Sequence, residues 1–238
     1  MRRSEGFALL LVMMAIVLMS ALGAALVLLA SSETLIAASY RRSIEAFYAA
    51  DAMADMALDE LVSLDWDAAA SGIVRSSFTD GSPDGPRRVP AGGTMNPADA
   101  VSMANCGKSA CSSVEIAENA TGDRPWAAGN PVWQLFGYGP LSAIMPAGTQ
   151  PLPCYVIAMV ARNPAAAGRG PVDTLLLRAE AFGPQNSHKV IELALARTFT
   201  PVRGGGAPDE DPGGQDRIDT QSSSASGRVR VLSWREIR

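Results

Sequence analysis

The sequence predicts an α+β fold: one long N-terminal helix packed against a small antiparallel β-sheet with long loops. Three observations carry this reading. Phe7 to Ala30 holds no charge, and only Ser20 and Gly23 interrupt its 22 apolar side chains. Ser31 to Leu64 contains neither proline nor glycine. Residues 173–199 hold two runs of alternating character separated by the turn sequence Gly183-Pro184-Gln185-Asn186.

The first element is a transmembrane helix over residues 7–30. At ~1.5 Å per residue it reaches about 36 Å, enough for a hydrocarbon core of ~30 Å. In lipid the backbone must satisfy its own hydrogen bonds, so the segment is helical. Arg2 and Arg3 favour a cytoplasmic N-terminus, although Arg41 and Arg42 on the far side weaken that bias. The rest of the chain is then periplasmic in a bacterium. A secretory signal peptide cut near Ala21-Leu22-Gly23-Ala24 is the alternative, but the apolar run continues past that point.

The helix continues over residues 31–64 as an amphipathic half, giving ~87 Å in all. Ile36, Tyr40, Ile44 and Phe47 fall on one helical face; Asp51 interrupts the stripe, and Ala54, Leu58 and Leu61 resume it. Arg41 and Glu45 form an i,i+4 pair worth ~0.3 kcal/mol. Asp51, Asp55 and Asp59 recur every fourth residue. They read as a solvated acidic face, with cations of a neighbouring subunit as the sharper alternative.

Residues 65–202 read as a loop-rich domain. Its first part, 65–131, is rich in glycine, proline, serine, asparagine and aspartate, as in Asp80-Gly81-Ser82-Pro83-Asp84-Gly85-Pro86, and is expected to hold few elements. Strands are expected at Val132–Tyr138, Tyr155–Ala161, Asp173–Phe182 and Lys189–Phe199. Leu175, Leu177, Ala179 and Ala181 share one side, and Ile191, Leu193, Leu195 and Arg197 share one parity, so the last two strands form a hairpin that packs on the helix. Residues 203–227 read as a flexible polar loop, and 228–238 as a C-terminal strand. In that strand Val229 and Val231 conflict in parity with Leu232 and Trp234, which a bulge or an edge position would reconcile. Its arginines read as edge protection, with an anionic partner as the alternative.

Candidate chemistry is sparse. A net charge of −4 argues against nucleic acid as the main partner. One histidine, His188, follows a turn and is expected to be exposed. Cys106 and Cys111 are the candidate disulfide in an oxidising compartment; Cys154 reads as a buried thiol, and the two other pairings stay open. Three cysteines lack a fourth zinc ligand, so no metal is expected. Asp209, Asp211, Asp216 and Asp219 invite a calcium reading, but Thr220 stands where an EF-hand loop needs Glu. Asn119-Ala120-Thr121 matches a glycosylation triplet. No P-loop, G-x-S-x-G or H-E-x-x-H motif occurs, so neither an enzyme nor a cofactor is expected.

Two stretches resemble a known family. Met1-Arg2-Arg3-Ser4-Glu5-Gly6 followed by Phe7 and an apolar run resembles a type IV prepilin signal. The run Ile36 to Ala52, with Tyr40-Arg41-Arg42 and Ala46-Phe47-Tyr48-Ala49-Ala50-Asp51-Ala52, is similar to the N-terminal region of PilX-type minor pilins. Asp51 stands where that family usually has Glu, and Met53 where Gly is common. The resemblance covers residues 1–64 and implies a pilin-like fold. It implies a leader, 1–6, cut between Gly6 and Phe7 by prepilin peptidase, and N-methylation of Phe7. Other major and minor pilins, the inner-membrane assembly platform and the lipid bilayer are the implied partners. Single-pass inner-membrane residence and passage into an extracellular pilus are implied too. Major pilins usually carry Glu at the fifth mature position, which here is Leu11; several minor pilins and GspK-type pseudopilins of type II secretion share that departure. The expected role is therefore assembly, initiation or tip structure. A type II secretion pseudopilin and a Sec-exported periplasmic binding module are the alternatives.

Overall fold

The structure, a computed structural model of the chain, describes residues 5–90, 92–121, 129–145, 152–164, 173–198 and 228–237. It divides into two compact units, Met1–Ile44 and Glu45–Arg238. Helix α1 (Glu5–Ser63) belongs to both. In the first unit every described side chain from Phe7 to Ala37 is exposed. The helix is long and apolar enough to cross a membrane.

In the second unit α1 supplies one wall of the core. Ala46, Ala49, Ala50, Met53, Ala54, Ala57 and Leu61 are buried at three- and four-residue intervals, one stripe of the helix. Of the stripe expected from Ile36, Tyr40, Ile44 and Phe47, Phe47 packs against the core and Ile44 is half-buried, but the first two need correction. Ile36 and Tyr40 are each 69% exposed, and alanines carry the buried face. The reason is position: the buried face runs from Ala46 to Leu61, the stretch that packs on the sheet, whereas Ile36 and Tyr40 fall in the first unit.

Residues 65–131 also depart from the expectation of few elements. They form α2 (Trp66–Ala70), a two-stranded ladder of β1 (Arg87–Arg88) and β2 (Thr94–Met95), α3 (Pro97–Cys106) and α4 (Ser113–Thr121). Local capping explains α3. The Asn96 side chain accepts from the Ala98 amide, Pro97 opens the first turn, and Gly107 closes the helix at φ 70°.

The main sheet is a five-stranded antiparallel meander in the order β3 (Gln134–Pro140), β4 (Tyr155–Arg162), β5 (Thr174–Phe182), β6 (His188–Thr198) and β7 (Arg228–Ile237). The expected hairpin is β5–β6. One face presents Phe136 of β3, Val156, Ala158 and Val160 of β4, and Leu175, Leu177, Ile191 and Leu195 of the hairpin to the α1 alanines. The opposite face packs Tyr138, Tyr155, Ile157 and Met159 with Trp133, Val89 and Ala100 of α3. β4 is buried on both faces, which is why its sequence is a continuous apolar run rather than an alternating one.

The two edges of the sheet differ. At β3, residues 76–80 lie alongside: the Ser76 and Asp80 amides donate to Phe136 and Tyr138, and the Tyr138 amide donates to Phe78, at 2.9–3.0 Å. Gly139 permits that approach, since a Cβ there would stand 2.6 Å from the Phe78 ring. At β7, Ala194 pairs with Ser233 and Leu195 with Val231, leaving Leu232 as the bulged residue. The parity conflict in the sequence is thereby resolved by both devices, a bulge and an edge.

Candidate functional site

Gly6 and Phe7, the expected processing site, lie in the first turn of α1. Phe7 and Leu11 are both exposed along the apolar half. Farther along, Asp51 is half-buried while Asp55 and Asp59 are exposed, forming the acidic face that the spacing predicts. Partial desolvation, then the charges of Asp51 and Asp59, push the Asp55 carboxyl above the ordinary range.

The end of α1 is held by contacts that the sequence did not signal. Arg197 Nη2 donates to the carbonyls of Leu61 and Leu64, each at 2.8 Å. Its guanidinium lies 4.5 Å from the centre of the Trp66 ring. Trp66 Nε1 donates to the Leu61 carbonyl as well, at 2.8 Å. A helix C-terminus carries unpaired carbonyls and partial negative charge, and a cation stacked on an indole answers both.

A charged ladder crosses β5, β6 and β7. Arg178 reaches Glu180 at 2.6 Å and Glu192 at 2.9 Å, and Glu192 also accepts from Arg235. The reading of His188 as merely exposed needs an addition. Its Nε2 lies 2.9 Å from Glu180 Oε2, and its ring stacks on Phe182 at 4.4 Å. The cause is register: Phe182 pairs with His188 across the β5–β6 ladder. Burial alone would raise the Glu180 carboxyl, but the hydrogen bond from His188 and the Arg178 and His188 charges outweigh it, and the net shift is downward.

Cys106, the last residue of α3, and Cys111, in the loop before α4, are joined as a disulfide. Cys154 is a buried free thiol, pushed up to about 11 by burial and then by the charge of Glu45. The glycosylation triplet falls on α4, where the Asn119 side-chain amide donates to the Asn105 carbonyl and accepts from Asn130. That engagement removes Asn119 from the exposed loop position that glycosylation needs. The acidic stretch Asp209 to Asp219 lies outside the described residues. Among the described residues no three His, Cys, Asp or Glu side chains stand together as metal ligands.

Compared with known proteins, the chain matches no family model, and no curated protein or solved structure is significantly similar to it.

Proposed function

We propose that the chain is a membrane-anchored minor pilin that takes part in the assembly, initiation or tip structure of a type IV pilus. The observation that carries this reading is one continuous helix, α1, with two environments along it. Its first half is exposed and apolar; its second half buries an alanine face beneath a sheet. A helix apolar all round is stable in lipid or among like helices, so it moves between the two with little hydrophobic cost. Cleavage after Gly6 exposes the Phe7 amine at the apolar end. Leu11 supplies no carboxylate for a neighbour's amine, which suits a subunit at the start or tip of a fibre rather than its repeating shaft. Prepilin peptidase, other pilins, the assembly platform and the bilayer are the proposed partners, with the second unit in the periplasm.

Mass spectrometry of the N-terminal peptide from membranes tests the reading. N-methyl-Phe7 is the expected product, and Gly6→Leu leaves the leader attached. A start near Ala24 points instead to a Sec-exported periplasmic protein. A second reading, a type II secretion pseudopilin, draws on the helices α3 and α4 inserted ahead of the sheet. Loss of protein secretion with intact pili on deletion distinguishes it.

A further inference from the structure

Among the described residues the sheet has one covered edge and one open edge. Residues 76–80 lie along β3, whereas among the described residues no strand lies beyond β7. An open edge presents a row of backbone donors and acceptors ready to pair with another chain. β7 also leaves large apolar side chains in contact with solvent: Val231, Leu232 and Trp234 are 50%, 58% and 48% exposed. Trp234 is anchored on one side by the Phe47 ring, at 5.9 Å and edge-on, so it forms a fixed platform rather than a loose side chain. Arg228, Arg230 and Arg235 make the strand cationic, with Arg235 held by Glu192 of β6. Its one described carboxylate, Glu236, is engaged by Lys189 at 2.5 Å.

Edge guarding accounts for the arginines and for the bulge at Leu232. It does not account for three large apolar side chains at half exposure, which weaken a guard. Apolar pockets along a free strand edge are what strand addition uses for specificity, with the backbone supplying affinity. The charge selects the occupant. With Arg235 held by Glu192 and Glu236 by Lys189, two copies of β7 set edge to edge would bring the Arg228 and Arg230 charges of both strands together, so a second copy is disfavoured. An acidic strand suffers no such repulsion.

We propose that β7 is a docking edge for an extended, acidic segment of a partner protein, which adds to the sheet as a further strand. The arginines set its charge, and Val231, Leu232 and Trp234 receive its apolar side chains. This holds for any identity of the whole chain, so its failure leaves the Phe7 processing test untouched.

The test is a titration of the full chain in detergent with a fluorescent short peptide that alternates valine with glutamate, read by anisotropy. Saturable binding is expected. Arg230→Glu, with unchanged far-ultraviolet circular dichroism, should weaken it about tenfold, and raised salt should weaken it as well. A peptide with lysine in place of glutamate should fail, and so should one whose pairing nitrogens are N-methylated. Absence of saturable binding overturns the proposal. Equal binding of the N-methylated peptide also overturns it, since attraction would then need no strand pairing. Self-association of the chain through β7 without peptide binding overturns it in favour of a second copy.

Discussion

Arg197 shows how one side chain fastens the long helix to the sheet. It leaves β6, reaches the carbonyls of Leu61 and Leu64, and stacks on Trp66. Removing it takes the Arg197 bond from the Leu64 carbonyl and bares the indole face, while Leu61 keeps only its bond from Trp66. Arg197→Ala should lower stability by about 2 kcal/mol, read as the urea midpoint of the full chain in detergent. Arg197→Lys should recover less than half, because an ammonium lacks the planar fork and stacks poorly. In the sequence Arg197 was visible only as the residue that broke the apolar parity of Ile191, Leu193 and Leu195. Its partners lie more than a hundred residues away, and nothing local signals them.

Among the elements, the strands were the most legible and the short helices the least. Period-two alternation placed β5 and β6, and the Val229/Leu232 conflict pointed to a bulge or an edge in β7, where the register shifts at Leu232. α3 was missed because the composition of 65–131 reads as loop, although Asn96-Pro97 and Gly107 are start and stop signals at suitable spacing. The charged ladder is a property of paired strands, since Arg178 meets Glu192 only through the β5–β6 register. Its pH dependence follows from Glu180. The folded carboxyl titrates below its ordinary value, so its ionised form stabilises the fold above about pH 5, and that contribution is lost as pH falls through the folded value. Wild type should therefore lose stability more steeply than Glu180→Gln below about pH 4.5, in urea titrations carried down to about pH 3. At neutral pH the variant should be the less stable, because Arg178 and His188 lose an ionised partner.

For the whole molecule, the division into Met1–Ile44 and Glu45–Arg238 makes a prediction about solvent. The full chain should sediment with membranes and require detergent. A chain starting at Ser31, which keeps every core residue from Ala46 onward, should remain in the aqueous phase with cooperative unfolding. Differential centrifugation and thermal melts check both halves of that statement. The apolar run and the unbroken helical stretch were determined by the sequence alone, because lipid and helix periodicity act on neighbouring residues whatever the rest of the chain does. Tertiary structure decided which helix face is buried, what holds the helix end, where His188 and Glu192 find partners, and that one sheet edge is covered while β7 stays open among the described residues. Those outcomes depend on which distant segments come together, and pairing of that kind leaves no period in the sequence.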